Sequence, residues 1–244
     1  MKYKLKSFLM AGLLIGVSAF YGCGNDDDDY PNATVTVGMA TVERPPQYDA
    51  PYFVLDNGKK MWVVQTLVPY KNLKADERVF GSFSLLQPGE DGFSYNIRLN
   101  DYTMVPVQEV LSLNVENVDS IGNQVVQVRD IWPSDDYLNV RFMLNYPNPQ
   151  KPILNLVFNE MIPLVDDGYA HLELRYNSNG SAGRLVPGMV SFKLGKYGPS
   201  NSSLKGLKVL VKTSAGNEKT YTFSYPLTDE AVPSFTPFDL SELK

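Results

Sequence analysis

One cysteine, one histidine, two tryptophans and two pairs of adjacent aspartates are the residues of this 244-residue sequence whose types could carry chemistry. A Ser-His-Asp hydrolase would have to be built on His171, because no other histidine is present. The alternation Tyr169, His171, Glu173, Arg175 sets that ring on the polar face of a strand, where an exposed or half-covered histidine without a catalytic duty is expected. A zinc site draws on several His or Cys ligands, and the sequence holds one of each. Asp135-Asp136 and Asp166-Asp167 could bind calcium or serve a glycosidase as acid and nucleophile. Aspartates directly before Tyr or Gly are more often turn formers. No glycine-rich phosphate loop precedes a helix. The expectation is a protein that is not an enzyme, with no catalytic residue, no metal and no cofactor.

Binding chemistry has more to work with. Trp62 and Trp132, with many tyrosines, could stack on a glycan; Trp132 beside Pro133 at a strand end also fits a core plug. Cys23 follows a leader with Lys2, Lys4 and Lys6, then an uncharged run from Phe8 to Phe20, then Gly22. A basic start, a short apolar run and a small residue before the cut describe a secretory signal. The run is shorter than the roughly 20 residues a spanning helix needs. Cys23 therefore reads as the lipidation site of a lipoprotein. Three acyl chains on it would hold the protein at a membrane, each buried CH2 contributing about 0.8 kcal/mol. Loss of residues 1–22 removes three lysines and no acid, which moves the formal charge from −5 to −8. That balance disfavours nucleic acid as a partner.

The elements that must position these residues are strands. Val35, Val37 and Met39 alternate with polar or small residues. Tyr52–Leu55 and Met61–Val64 flank Asp56-Asn57-Gly58, a hairpin signal. Val79–Leu85 and Phe93–Leu99 complete five strands, separated by Gln87-Pro88-Gly89 and Asp91-Gly92. Five such strands fit a small barrel of the OB type. Seven more runs follow: 125–131, 138–145, 153–158, 170–176, 189–194, 207–212 and 220–225. Short strands at regular turn spacing suggest an immunoglobulin-like sandwich. The predicted fold is all-β: leader 1–22, acidic flexible tether 23–33, OB-like barrel 34–115, and seven-stranded β-sandwich 116–244 ending in an extended tail. The crossing between the two domains is placed at 115–123, where proteolysis should give two folded fragments.

Asp130-Ile131-Trp132 followed by Asp136-Tyr137-Leu138-Asn139-Val140 resembles the NigD-like lipoproteins of Bacteroides-type bacteria. Leu172-Glu173-Leu174-Arg175-Tyr176-Asn177, Val190-Ser191-Phe192 with Leu194, Trp62 after its hairpin and the leader extend the resemblance over the mature chain. These motifs pack strands and do no catalysis, and Tyr176 stands where many relatives carry His. The resemblance implies an N-terminal OB-like domain, a C-terminal β-sandwich and a neighbourhood of bacteriocin genes, with no site to carry over. It also gives the acids after the cysteine a meaning: Asp26, Asp27, Asp28 and Asp29 are similar to the signal that exports lipoproteins to the outer face of the outer membrane. The alternative destination is the periplasmic face. Asp119-Ser120-Ile121 resembles a three-residue O-glycosylation motif of these bacteria, which marks Ser120. The expected function is that of a membrane-anchored, surface-exposed envelope lipoprotein, a binding or accessory module for a glycan or protein partner. Bacteriocin-associated self-protection is the alternative, and a hydrolase built on a carboxylate pair comes third.

Overall fold

Alternating apolar and polar residues become strands wherever such a run lies between turn residues, and two such sets fold into two layered units. A computed structural model describes residues 33–134, 136–146, 153–214, 216–228, 233, 235 and 237–244. The leader, Cys23, Asp26 to Asp29, Asp135 and the turn at Pro147 to Pro149 lie outside the described residues.

The first five strands are β1 (Thr34–Glu43), β2 (Tyr52–Leu55), β3 (Lys60–Thr66), β4 (Arg78–Pro88) and β5 (Tyr95–Val105). They close a barrel in the order β1-β2-β3-β5-β4, with β3 and β5 parallel and the other pairs antiparallel. The barrel interior holds Phe53, Met61, Val79, Phe83, Ile97 and Leu99, all fully buried. Gly81 has a packing role: a Cβ there would meet the Phe83 ring at 2.5 Å. The β2–β3 hairpin forms as expected. Gly58 takes positive φ (76°) and its N–H closes the turn onto Leu55.

The second unit contains β6 (Val107–Glu109), β7 (Leu111–Leu113), β8 (Gln127–Pro133), β9 (Tyr137–Tyr146), β10 (Ile153–Asn159), β11 (Tyr169–Asn177), β12 (Arg184–Lys193), β13 (Gly206–Ser214) and β14 (Asn217–Ser224). One sheet runs β14-β13-β11-β10-β7, the other β6-β12-β9-β8. Their facing surfaces bury Leu138, Val140, Leu156, Leu172, Phe192 and Val209, with others. The sandwich thus has nine strands among the described residues, two more than expected. Val107–Glu109 pairs in parallel with β12 and Leu111–Leu113 with β10. The stretch assigned to the end of the barrel domain therefore belongs to the sandwich, and the change of domain falls near residue 106, not 115. A third parallel pair in the sandwich, β11 with β13, needs a crossover, which β12 supplies through the opposite sheet.

The tail is not extended throughout. Pro237–Glu242 forms a short helix, α2, once α1 (Val118–Ile121) is counted first. α2 packs on β1 and β4 of the barrel. Leu240 is buried there with Val37, Met39, Phe80 and Val105 from the barrel and Trp132 and Met189 from the sandwich. An apolar outer face of β1 and β4 has to be covered, and the returning tail covers it.

A buried polar network joins the same two domains. Arg78, on β4, pairs with Asp56 at 2.7 Å and donates to Asn139 Oδ1 at 2.9 Å and to Thr41 Oγ1 at 2.8 Å. Its guanidinium lies 4.5 Å from the Tyr137 ring centre. Asp56 Oδ2 accepts from Trp132 Nε1 (3.0 Å) and Asn139 Nδ2 (2.8 Å), and Ser191 donates to Asn139 at 2.7 Å. A buried charge is tolerable only when paired and hydrogen-bonded. Here each domain supplies partners to the other.

Candidate functional site

The barrel carries an open recess built from two loops and two strands. Tyr48 comes from the β1–β2 loop, Trp62 and Val64 from β3, and Glu90, Asp91 and Phe93 from the β4–β5 loop. The local sequence explains the shape. Asp91 (φ 53°) and Gly92 (φ 87°) both take left-handed conformations, and Phe93 N–H bonds to Glu90 C=O at 3.0 Å. Two successive positive φ values make a tight hairpin turn, which exposes Glu90 and Asp91 and folds Phe93 back over the strand. On β3 the pairing with β5 skips from Val63 to Gln65. That bulge leaves Val64 unpaired and exposed beside Trp62.

The Trp62 ring lies 5.2 Å from Tyr48 and 5.3 Å from Phe93, tilted by 51° and 53°. Buried Tyr52 stands edge-on to Phe93 at 5.1 Å and supports that ring. Its phenol is raised above the ordinary value by burial first, then by the charge of Glu43 and by Tyr48. Asn96 completes the wall of a cavity of about 420 Å3. Half-exposed aromatic faces beside carboxylates and an amide can hold a ligand that is apolar on one side and hydroxylated on its edge.

Trp132 does not share this role. It is fully buried between the domains and its indole N–H is taken by Asp56, so it cannot stack on a ligand; of the two readings of this residue, the core plug holds. Tyr48 and Phe93, which complete the recess, were not singled out by sequence reasoning. The Asp91-Gly92 turn next to an aromatic was the available signal. Ser120 is exposed on α1, its hydroxyl donating to Asn117 C=O at 2.9 Å.

His171 lines a different hollow, of about 150 Å3, on the outer face of the larger sandwich sheet. Its Nε2 lies 2.9 Å from Asp167 Oδ1, which also accepts the Tyr169 N–H at 3.0 Å. Asp167 Oδ2 takes Lys208 Nζ at 2.5 Å. Lys208 first, then His171, hold the Asp167 carboxyl well below the usual carboxylate range. The second aspartate of the Asp166-Asp167 pair is thus a turn former whose carboxylate is already engaged by Lys208 and His171. Glu173, buried nearby, accepts from Asn159 Nδ2 (2.8 Å) and Arg175 Nε (2.6 Å). Among the described residues no three His, Cys, Asp or Glu side chains gather as metal ligands, and no helix is long and apolar enough to cross a membrane.

Residues 39–105 match the NigD-like N-terminal OB domain, and residues 109–225 match the NigD-like C-terminal beta sandwich domain. The chain belongs to the NigD-like family. The two matched segments meet where the strand pairing changes partners, between β5 and β6. A Bacteroides vulgatus protein of unknown function is similar to this NigD-like chain at 72% identity, over 86% of this chain and 100% of its own, with a TM-score of 0.84. A NigD-like immunity protein from Bacteroides caccae shares the fold at 15% identity (80% of this chain, 99% of its own, TM-score 0.55). So does a proposed lipoprotein from Bacteroides fragilis at 13% identity (80% and 100%, TM-score 0.54). No curated protein matches the NigD-like chain.

Proposed function

We propose that this NigD-like protein is a lipid-anchored envelope module that binds a partner in the barrel recess and catalyses no reaction. The observation that carries the reading is the cluster of Tyr48, Trp62 and Phe93, half-exposed around an open cavity. Its position adds support by analogy of fold: OB barrels commonly hold oligosaccharides or single strands on the second and third strands and the first and last interstrand loops. Anchoring rests on Cys23 after its leader, and the description of the Bacteroides fragilis relative as a lipoprotein agrees with it. Surface display rests on Asp26 to Asp29. A second reading, self-protection against a bacteriocin, is favoured by names alone, that of the family and that of the Bacteroides caccae relative.

Photocrosslinking tests the binding reading. With p-benzoylphenylalanine in place of Val64, irradiation of intact cells should give a discrete adduct, absent when the probe replaces exposed Val115 on the sandwich. No adduct at Val64, or equal adducts at both positions, contradicts it.

A further inference from the structure

We infer that the barrel recess takes a glycan free of acidic groups, neutral or amine-bearing, and turns away sulfated and uronic ones; this rests on the binding reading above. The apolar component comes from three rings. Their tilts of 51° to 62° make a concave wall, not a flat platform, suited to the C–H face of a pyranose held from two sides. Val64, lifted out by its bulge, adds an aliphatic patch to the same wall. The polar component is one-sided. Glu90, Asp91 and Asn96 line the recess, and among the described residues no Lys or Arg does. Carboxylates accept hydrogen bonds from hydroxyl or ammonium groups. Towards carboxylate, sulfate or phosphate they offer no donor and a like charge.

The backbone that carries Glu90 and Asp91 is held at the recess by a tight turn with Asp91 and Gly92 at its centre, closed by Phe93 N–H onto Glu90 C=O and by Gly89 N–H onto Ser94 C=O at 3.1 Å. The nearest cations in sequence are Lys60, two residues before Trp62, and Arg98, two residues beyond Asn96; Arg98 Nε donates to Asn100 Oδ1 at 3.1 Å, and neighbouring Lys59 lies over the Tyr95 ring at 5.7 Å. The same one-sided charge argues against single-stranded nucleic acid, which needs cations along its backbone. Glu43, close enough to raise the Tyr52 phenol after burial has done so, makes the surroundings more acidic still.

Affinity electrophoresis of the protein through gels containing laminarin, yeast mannan, chitosan oligomers, polygalacturonate or heparin tests the inference. Retardation by at least one of the first three and by neither of the last two is expected. Trp62→Ala should weaken it about tenfold, the scale of losing one ring stack. Because Trp62→Ala also removes ring packing from the barrel, Glu90→Gln with Asp91→Asn gives a second arm. This pair keeps the turn, since Asn tolerates positive φ. It should weaken chitosan retention or admit polygalacturonate, with the difference from wild type shrinking in high salt. Retardation of the wild type by polygalacturonate or heparin through Trp62, or by none of the five polymers, overturns the inference. The two readings fail separately: a Val64 adduct that protease digests to a peptide would leave the binding module standing and remove the glycan.

Discussion

Arg78 and Asp56 show what single residues do in this molecule. Their pair is buried, and apart from the Arg78 bond to Thr41 its hydrogen bonds come from the other domain. Arg78→Ala strands the Asp56 carboxylate away from water, so it should destabilise the whole chain by roughly 3–5 kcal/mol, read from urea unfolding. A loss confined to the barrel would show that the domains are not coupled through this network. Asp167 makes a prediction about pH. Its carboxyl is held low by Lys208 and then His171, so the folded chain binds fewer protons there than the unfolded chain does. The stabilisation is complete above the ordinary carboxyl pKa and is lost as pH falls below it towards the folded value. Asp167→Asn keeps the turn and removes the charge. It should lower the melting temperature at neutral pH by a margin that narrows between about pH 5 and pH 2; a constant margin contradicts the ion-pair account. These roles were only partly legible. Trp132 read as a core plug because of its neighbours in sequence. Its acceptor, Asp56, lies 76 positions away, and no local pattern could announce it.

Elements with long alternation, such as β4, β5, β9 and β14, were legible because their period of two runs through most of their length. β6 and β7 were not, because three residues carry no period; the strands they pair with define them. α2 was missed for a physical reason too. Pro233 and Pro237 suggested an extended tail, yet proline at the first helical position costs nothing, since its missing N–H would have no partner there. Leu240 on that helix is buried between the domains. Leu240→Ala should cost about 2–5 kcal/mol in chemical denaturation, and a negligible cost would mean the tail is an ornament. The strand pairing also changes what proteolysis should yield. A cut beside exposed Val115 leaves β6 and β7 bound to their sheets and the Arg78 network intact. The nicked protein should elute at the size of the intact chain, and separation into two fragments without denaturant contradicts the joined architecture.

At the scale of the whole molecule, the proposed address and the proposed binding surface are separable. Cys23→Ala should release a soluble, folded protein, because none of the strands expected from the sequence contains Cys23. Ala in place of Asp26 to Asp29 should keep the anchor and turn the protein from the outside to the inside of the outer membrane. Protease added to intact cells should then digest the wild type and spare the variant; equal protection of both contradicts surface display. The layers of both domains could be read from the sequence, but not the recess: Tyr48, Trp62 and Phe93 are brought together only when the barrel closes. The two tryptophans allow a direct test of that recess. Trp132 is buried and Trp62 is half-exposed, so acrylamide quenching of the intrinsic fluorescence reports on Trp62. Titration with laminarin, mannan or chitosan oligomers should lower the quenching of the wild type towards that of Trp62→Phe, without changing the variant. Quenching that stays the same at saturating concentrations of all three would contradict the barrel recess as the binding surface.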